Sequence, residues 1–257
     1  MLKLENVSAG YNGTDVIHDI SFRLSEGESL CILGPNSCGK TTLLRAIAKL
    51  IESNGVLELD GQSVHAMRRK DIAKRVAVMS QISRVNFPYS VYDTIMMGRY
   101  QHIKKSMFKT PGEKDIALVE ACMKEVELTS IRDQMIDCLS GGQLQRVFLA
   151  HTLVQEPRLI LLDEPTNHLD MKHQVSLVKY LKKWSKIDGH QVIGVFHDIN
   201  LAMQLSDNLM FMKEGRIKGI GHSDDLITTD FLKDIYDVDI VDYMIQSYKR
   251  WEKFSGK

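Results

Sequence analysis

The chain has 257 residues, enough for one large domain or a domain carrying a substantial insert. Hydrophobic residues make up 44% and charged residues 26%, so a packed core is expected and disorder is not. Lys plus Arg and Asp plus Glu number 33 each, a formal net charge of zero, which speaks against non-specific nucleic-acid binding through a basic surface.

From the N-terminus, Leu2 to Val7 and Ile20 to Leu24 alternate apolar and polar residues, as half-buried strands do. Leu30-Cys31-Ile32-Leu33 is wholly apolar, the pattern of a strand buried on both faces. A helix is predicted to follow, with Leu43, Leu44, Ile47 and Leu50 on its apolar face. Asn54-Gly55 and Asp60-Gly61 predict turns on either side of Val56 to Leu59, and Val76 to Met79 reads as another strand. From Asp93 to Gln155 the pattern is mainly helical. Thr110 and Glu113 have capping-box spacing, with Pro111 at the first helical position. Ile116, Val119, Cys122 or Met123, and Val126 then make an apolar stripe. A second helix is predicted from near Ser140 to before Pro157. Strand-like runs return at Leu159 to Leu162, Val192 to Phe196 and Leu209 to Met212. The reading is an α/β core, 1–85 and 157–257 with a C-terminal tail, interrupted by a helical subdomain at 86–156.

Cys31, Cys38, Cys122 and Cys138 form no CxxC pair, and reduced intracellular thiols are the expectation. The N-terminus lacks a signal peptide's apolar stretch, and no apolar run approaches the ~20 residues that cross a bilayer. A soluble cytoplasmic protein that meets a membrane through a partner is expected.

Two segments carry chemistry. Gly34-Pro35-Asn36-Ser37-Cys38-Gly39-Lys40-Thr41 fits G-x-x-x-x-G-K-[ST] between a buried strand and a helix. Its glycines let backbone N–H groups converge on phosphate oxygens, and the helix N-terminus adds positive potential. Lys40 can reach the β- and γ-phosphates and the Thr41 hydroxyl can ligate Mg²⁺. The second segment, Leu159-Ile160-Leu161-Leu162-Asp163-Glu164, delivers two acids at the end of a buried strand. That is the ligand edge of an open α/β sheet. There Asp163 suits Mg²⁺, and Glu164 suits a general base on water.

Leu139-Ser140-Gly141-Gly142-Gln143 resembles the signature sequence of ABC ATPases, at about the family's separation from the acidic strand. Tyr11 sits where the adenine-stacking aromatic belongs, and Gln81 follows a strand as the Q-loop glutamine does. Asn167-His168-Leu169-Asp170 resembles the D-loop, and His197 ends an apolar strand like the switch histidine. The resemblance implies a P-loop (RecA-like) ATPase core with an N-terminal antiparallel β subdomain and an inserted α-helical subdomain. It implies that one copy binds ATP through Tyr11, Gly34, Pro35, Asn36, Ser37, Cys38, Gly39, Lys40, Thr41 and Thr42. The second copy of a homodimer contributes Ser140, Gly141, Gly142, Gln143 and Asp170. Mg²⁺ falls to Thr41, Gln81 and Asp163, and catalysis to Glu164, His197, Gln81 and Lys40. Two positions depart from the family pattern: Ser37, where glycine is frequent, and His168, where a small residue is more usual.

Ser90 to Tyr100, Val195 to Asn200 and the tail from Phe231 to Ile240 look like the ATPases of metal-chelate importers. That likeness implies integral membrane permease subunits, a separate substrate-binding protein and a place on the cytoplasmic face of the membrane. The cargo would be a ferric siderophore, haem or a cobalamin-like chelate. Alternatives are the ATPase of another ABC importer or exporter and a soluble ABC ATPase not coupled to transport. A second ATPase unit, a long coiled-coil insert or a basic extension would favour a soluble ABC ATPase on ribosomes or DNA, and none is present. A GTPase would need the guanine-reading Asn-Lys-x-Asp motif, which is absent.

Overall fold

The computed structural model describes residues 1–79, 88–102, 111–167 and 169–254. β1 (Leu2–Tyr11) and β2 (Thr14–Leu24) form a hairpin that turns through Asn12 and Gly13. Their alternation buries Leu2, Leu4, Val7 and Ala9 on one strand and Ile17, Ile20, Phe22 and Leu24 on the other. β4 (Ser53–Leu59) pairs antiparallel with β1, and β5 (Gln62–Ser63) with β4, giving the order β2-β1-β4-β5.

The larger sheet has the order β10-β9-β3-β8-β7-β6. β3 (Ser29–Leu33), β6 (Val76–Met79), β7 (Leu159–Asp163), β8 (Gln191–Val195) and β9 (Asn208–Lys213) run parallel; β10 (Arg216–His222) is antiparallel to β9. The central strands are apolar throughout because both faces are covered. Leu30, Ile32, Leu159 and Leu161 face a core shared with the small sheet and α1 (Lys40–Ile47). Cys31, Leu33, Ile160 and Leu162 face a second core roofed by helices. This is the period of two that a pleated strand imposes.

After α2 (Arg69–Ala73), the helical segment comprises α3 (Val91–Met97), α4 (Glu113–Glu125) and α5 (Gly141–Leu153). α6 (Met171–Ser185) and α7 (Ile199–Leu205) flank β8, and α8 (Ser223–Leu226), α9 (Thr229–Tyr236) and α10 (Ile240–Glu252) end the chain. Among the described residues no helix is long and apolar enough to cross a membrane.

A buried ion pair ties the helical segment together. Arg99, 4% exposed, sits just past α3. Its Nε donates to Asp115 Oδ1 at 2.8 Å, and Nη1 donates to Val154 O at 2.6 Å and Glu156 Oε2 at 2.8 Å. Burial opposes the Asp115 charge, but Arg99 and the Gly112 N–H outweigh it and hold its carboxyl below the ordinary value. Arg99→Ala leaves these acceptors stranded and is expected to cost about 3–5 kcal/mol in urea denaturation. Because the folded Asp115 titrates below its unfolded value, its contribution is complete above about pH 5 and is lost as the pH falls through the carboxylate range.

Several sequence expectations need correction. Leu50 lies beyond the end of α1 and is 55% exposed, because the helix stops three residues earlier. Asn54-Gly55 is not a turn; it lies inside β4, where the pairing with β1 shifts register. A Cβ on Gly55 would lie 2.3 Å from Asn6 O, so a strand bulge demands the glycine. α4 begins at Glu113, two residues after Pro111. Gly112 is the N-cap, and its N–H donates to Asp115 at 3.2 Å. Thr110 lies outside the described residues. Ile116 is 37% exposed, so the buried stripe of α4 starts at Val119.

Candidate active site

Parallel strands place their carboxyl ends along one edge. The register pairs Asp163 with Val195 and Ile32 with Val195, so the residues following β3, β7 and β8 meet there. Beyond β3 the chain turns through Gly34, φ 142°, where a Cβ would lie 2.1 Å from Met212 O. The loop closes at Gly39, φ 101°, the N-cap of α1, which offers no side-chain cap. The first-turn N–H groups of α1 are therefore free for an anion. Ser37 adopts φ 62°, so the loop keeps a left-handed turn despite lacking glycine there. Ser37→Gly is expected to raise the unfolding free energy by up to about 1 kcal/mol, read by denaturant titration.

Lys40 is buried, and its Nζ donates to the loop's own carbonyls, Gly34 O at 2.8 Å and Pro35 O at 2.6 Å. The Thr41 hydroxyl donates to Asp163 Oδ1 at 3.0 Å. Burial pushes the Asp163 carboxyl above its ordinary value; Thr41 opposes the shift and the Glu164 charge adds to it. Glu164 has left-handed backbone, φ 54°, which turns the side chain across the strand ends. Both its oxygens are held: His197 Nε2 lies 2.6 Å from Oε1, and Asn167 Nδ2 donates to Oε2 at 2.5 Å.

A cleft of about 600 Å³ opens over these groups, lined among others by Tyr11, Asn36, Ser37, Lys40, Thr41 and Glu164. Tyr11, 39% exposed, stands at its rim, and its hydroxyl accepts from Arg45 Nη1 at 3.0 Å. Pro35 and Cys38 belong to the loop backbone; Gly39 and Thr42 also line the cleft.

Ser140 caps α5 through a reciprocal pair: its Oγ accepts from the Gln143 N–H at 3.3 Å and its own N–H donates to Gln143 Oε1 at 2.9 Å. Ser140 and Gly141 are exposed, and among the described residues the signature contributes nothing to the cleft wall. Gln145, one turn into α5, donates to Pro165 O at 2.7 Å and ties the signature helix to the loop after Glu164. Asp170 caps α6, accepting from the His173 N–H at 2.9 Å and lying 2.7 Å from His173 Nδ1. These bonds, the backbone one foremost, hold its carboxyl below the ordinary value. Gln81 and His168 lie outside the described residues.

Sequence reasoning missed three residues: Asn167 as the partner of Glu164, Arg45 behind Tyr11, and Gln145. Only the first had a signal, an amide three residues after the acid that ends the apolar run.

Residues 17–167 match the family model described as ABC transporter. The chain belongs to the ABC transporter family. It is an ATPase, the ATP-binding subunit of its transporter, with a P-loop fold. A Bacillus subtilis petrobactin import ATP-binding protein is 35% identical over 93% of this chain and 94% of its own length. An iron(3+)-hydroxamate import ATP-binding protein from the same organism is 31% identical, over 93% and 88%. A dimeric ATP-binding cassette in a post-hydrolysis state, bound to ADP and phosphate, superposes with a TM-score of 0.75. It is 27% identical and covers 86% of this chain and 98% of that one.

Proposed function

We propose that two copies of this ABC ATPase close head-to-tail on two ATP molecules and drive import of a ferric siderophore or similar metal chelate. The pore would belong to a separate membrane permease, with this chain on its cytoplasmic face and a substrate-binding protein outside. The observation that carries the paired reading is the signature tip. Ser140 and Gly141 are exposed at an uncovered helix start and away from their own cleft, where a second copy's nucleotide can reach them. The similar cassette that is dimeric with ADP and phosphate bound supports a nucleotide-loaded pair.

In this reading the α1 amides and Lys40 bind the β- and γ-phosphates, Lys40 exchanging the Gly34 and Pro35 carbonyls for phosphate oxygens. Tyr11 stacks on the adenine, steadied by Arg45. Thr41 and Asp163 already converge, and a hydroxyl with a carboxylate is the hard oxygen set that Mg²⁺ takes. They would hold the ion with Gln81, and it would neutralise phosphate charge. Glu164 polarises the attacking water while His197 and Asn167 fix its carboxylate. Asp170 carries the state of one site across to the other.

A cleft of about 790 Å³ beside α3, with Tyr89, Tyr92, Met96, Met97, Tyr100 and Ile116 in its wall, is the proposed seat of a short permease helix. The import names of the petrobactin and hydroxamate relatives support the cargo class. The test is co-purification from membranes with a candidate permease, followed by ATPase measurement with and without loaded binding protein. Stimulation by a ferric siderophore is expected; stimulation only by an unrelated cargo would reject the assignment.

A further inference from the structure

The carboxylate proposed as the base sits on a strained turn. Glu164 follows β7 with φ 54°, a left-handed conformation that L residues avoid, and it precedes Pro165, which narrows its backbone further. Such a conformation persists where its surroundings fix it. Two of the bonds that do so are to backbone: the Glu164 N–H donates to Val195 O at 3.2 Å, and the Asn167 N–H donates to Glu164 O at 3.2 Å. Another comes from a distant element. Gln145 Nε2, in the second turn of α5, donates to Pro165 O at 2.7 Å. Gln174 Nε2, on α6, donates to Thr166 O at 3.2 Å.

Pro165 and Thr166 are buried, so their carbonyls need protein donors. Among the described residues Gln145 is the donor that reaches Pro165 O. Pro165 stands between Glu164 and Asn167, whose side chains meet at 2.5 Å. One bond to its carbonyl therefore steadies the base together with the amide that orients it. Helix α5 thus carries two groups that bear on hydrolysis. Its exposed start at Ser140 and Gly141 faces away from the chain's own cleft, and Gln145, one turn on, holds the loop that aims Glu164 into that cleft.

We infer that Gln145 is a positioning residue for hydrolysis: through Pro165 O it sets the orientation of Glu164 in its own chain's cleft from the signature helix. Gln145 lines no part of the cleft, so it acts on the reaction through Glu164. The inference rests on Glu164 being the base, as proposed above.

The test is steady-state and single-turnover ATP hydrolysis by Gln145→Met, which keeps the length and helix propensity of the side chain and removes the donor. kcat is expected to fall at least about tenfold, the scale of a misplaced reacting group, with KM and fluorescent-nucleotide affinity within about twofold. In the Glu164→Gln background the same substitution is expected to slow residual hydrolysis by less than about twofold, because the group that it misplaces is already gone. A general loss of stability would act in both backgrounds. A Gln145→Met chain with wild-type kcat overturns the inference, and so does an equal loss in both backgrounds. Glu164→Gln turning over at the wild-type rate would reject the base and the inference with it; a slow Glu164→Gln beside an unimpaired Gln145→Met rejects Gln145 alone. Mixed pairs of Lys40→Ala with Ser140→Arg locate the effect. Glu164 of their one working site belongs to the chain that keeps Lys40. Gln145→Met in that chain is expected to lower the activity of the mixture at least about tenfold, and in the other chain at most about twofold. A loss that follows the chain supplying the tip would make Gln145 a support of the signature and overturn the inference.

Discussion

Glu164→Gln is expected to slow ATP hydrolysis by roughly 10²–10⁴-fold while leaving nucleotide binding intact. Glu164 is the carboxylate whose two oxygens are oriented from outside its own backbone, by His197 and Asn167. Glutamine preserves the length and one acceptor oxygen. Its amide can also donate to a His197 ring nitrogen, so the fold should be disturbed by less than about 1 kcal/mol. What disappears is the basic lone pair that, in the proposed mechanism, takes the proton from water. The loss corresponds to about 3–5 kcal/mol of transition-state stabilisation. Single-turnover hydrolysis checks the rate, and gel filtration with ATP checks that the variant accumulates as a closed pair. A variant that turns over at the wild-type rate would remove Glu164 from the role of base.

The second large effect is expected from Ser140→Arg. The side chain at the start of α5 is exposed and lines no part of its own cleft, so the substitution should leave ATP binding to the isolated chain unchanged. In the proposed pair it would remove the hydroxyl cap and place a bulky cation where the amides of Gly141 and Gly142 would approach the neighbouring nucleotide. Hydrolysis should fall by at least about a hundredfold, the scale of losing one anion-stabilising donor. Fluorescent-nucleotide titration and steady-state ATPase measurement separate the two effects. A change in affinity equal to the change in rate would place Ser140 in its own chain's site.

The site was legible in the sequence where its chemistry is contiguous. Gly34 and Gly39 occupy backbone conformations that penalise other residues, so the loop's spacing survives as a pattern. The acids of β7 are announced by four apolar residues because a strand covered on both faces has no polar choice. What the sequence hid depends on parallel register. Glu164 and His197 are 33 positions apart and meet only because β7 and β8 pair with Asp163 beside Val195. Arg45 and Tyr11 meet only once β1 packs beside α1. Asn54-Gly55 was misread because a strand bulge and a hairpin turn ask for the same glycine. β10 was missed because its residues are at most half-buried and two of the seven are glycine, leaving little apolar alternation. α4 was misplaced because Gly112 caps through its backbone, and the pairing acid is Asp115 in place of Glu113.

The central claim is that each working site is assembled from two chains, the Lys40 loop of one and the Ser140 tip of the other. Mixing Lys40→Ala with Ser140→Arg tests it most directly. Each variant alone is expected to be inactive, the first for want of nucleotide and the second for want of a competent tip. Random pairing should leave one intact composite site in each mixed dimer, recovering up to about a quarter of wild-type ATPase activity. A mixture as silent as its components, with mixed dimers shown to form, would contradict it.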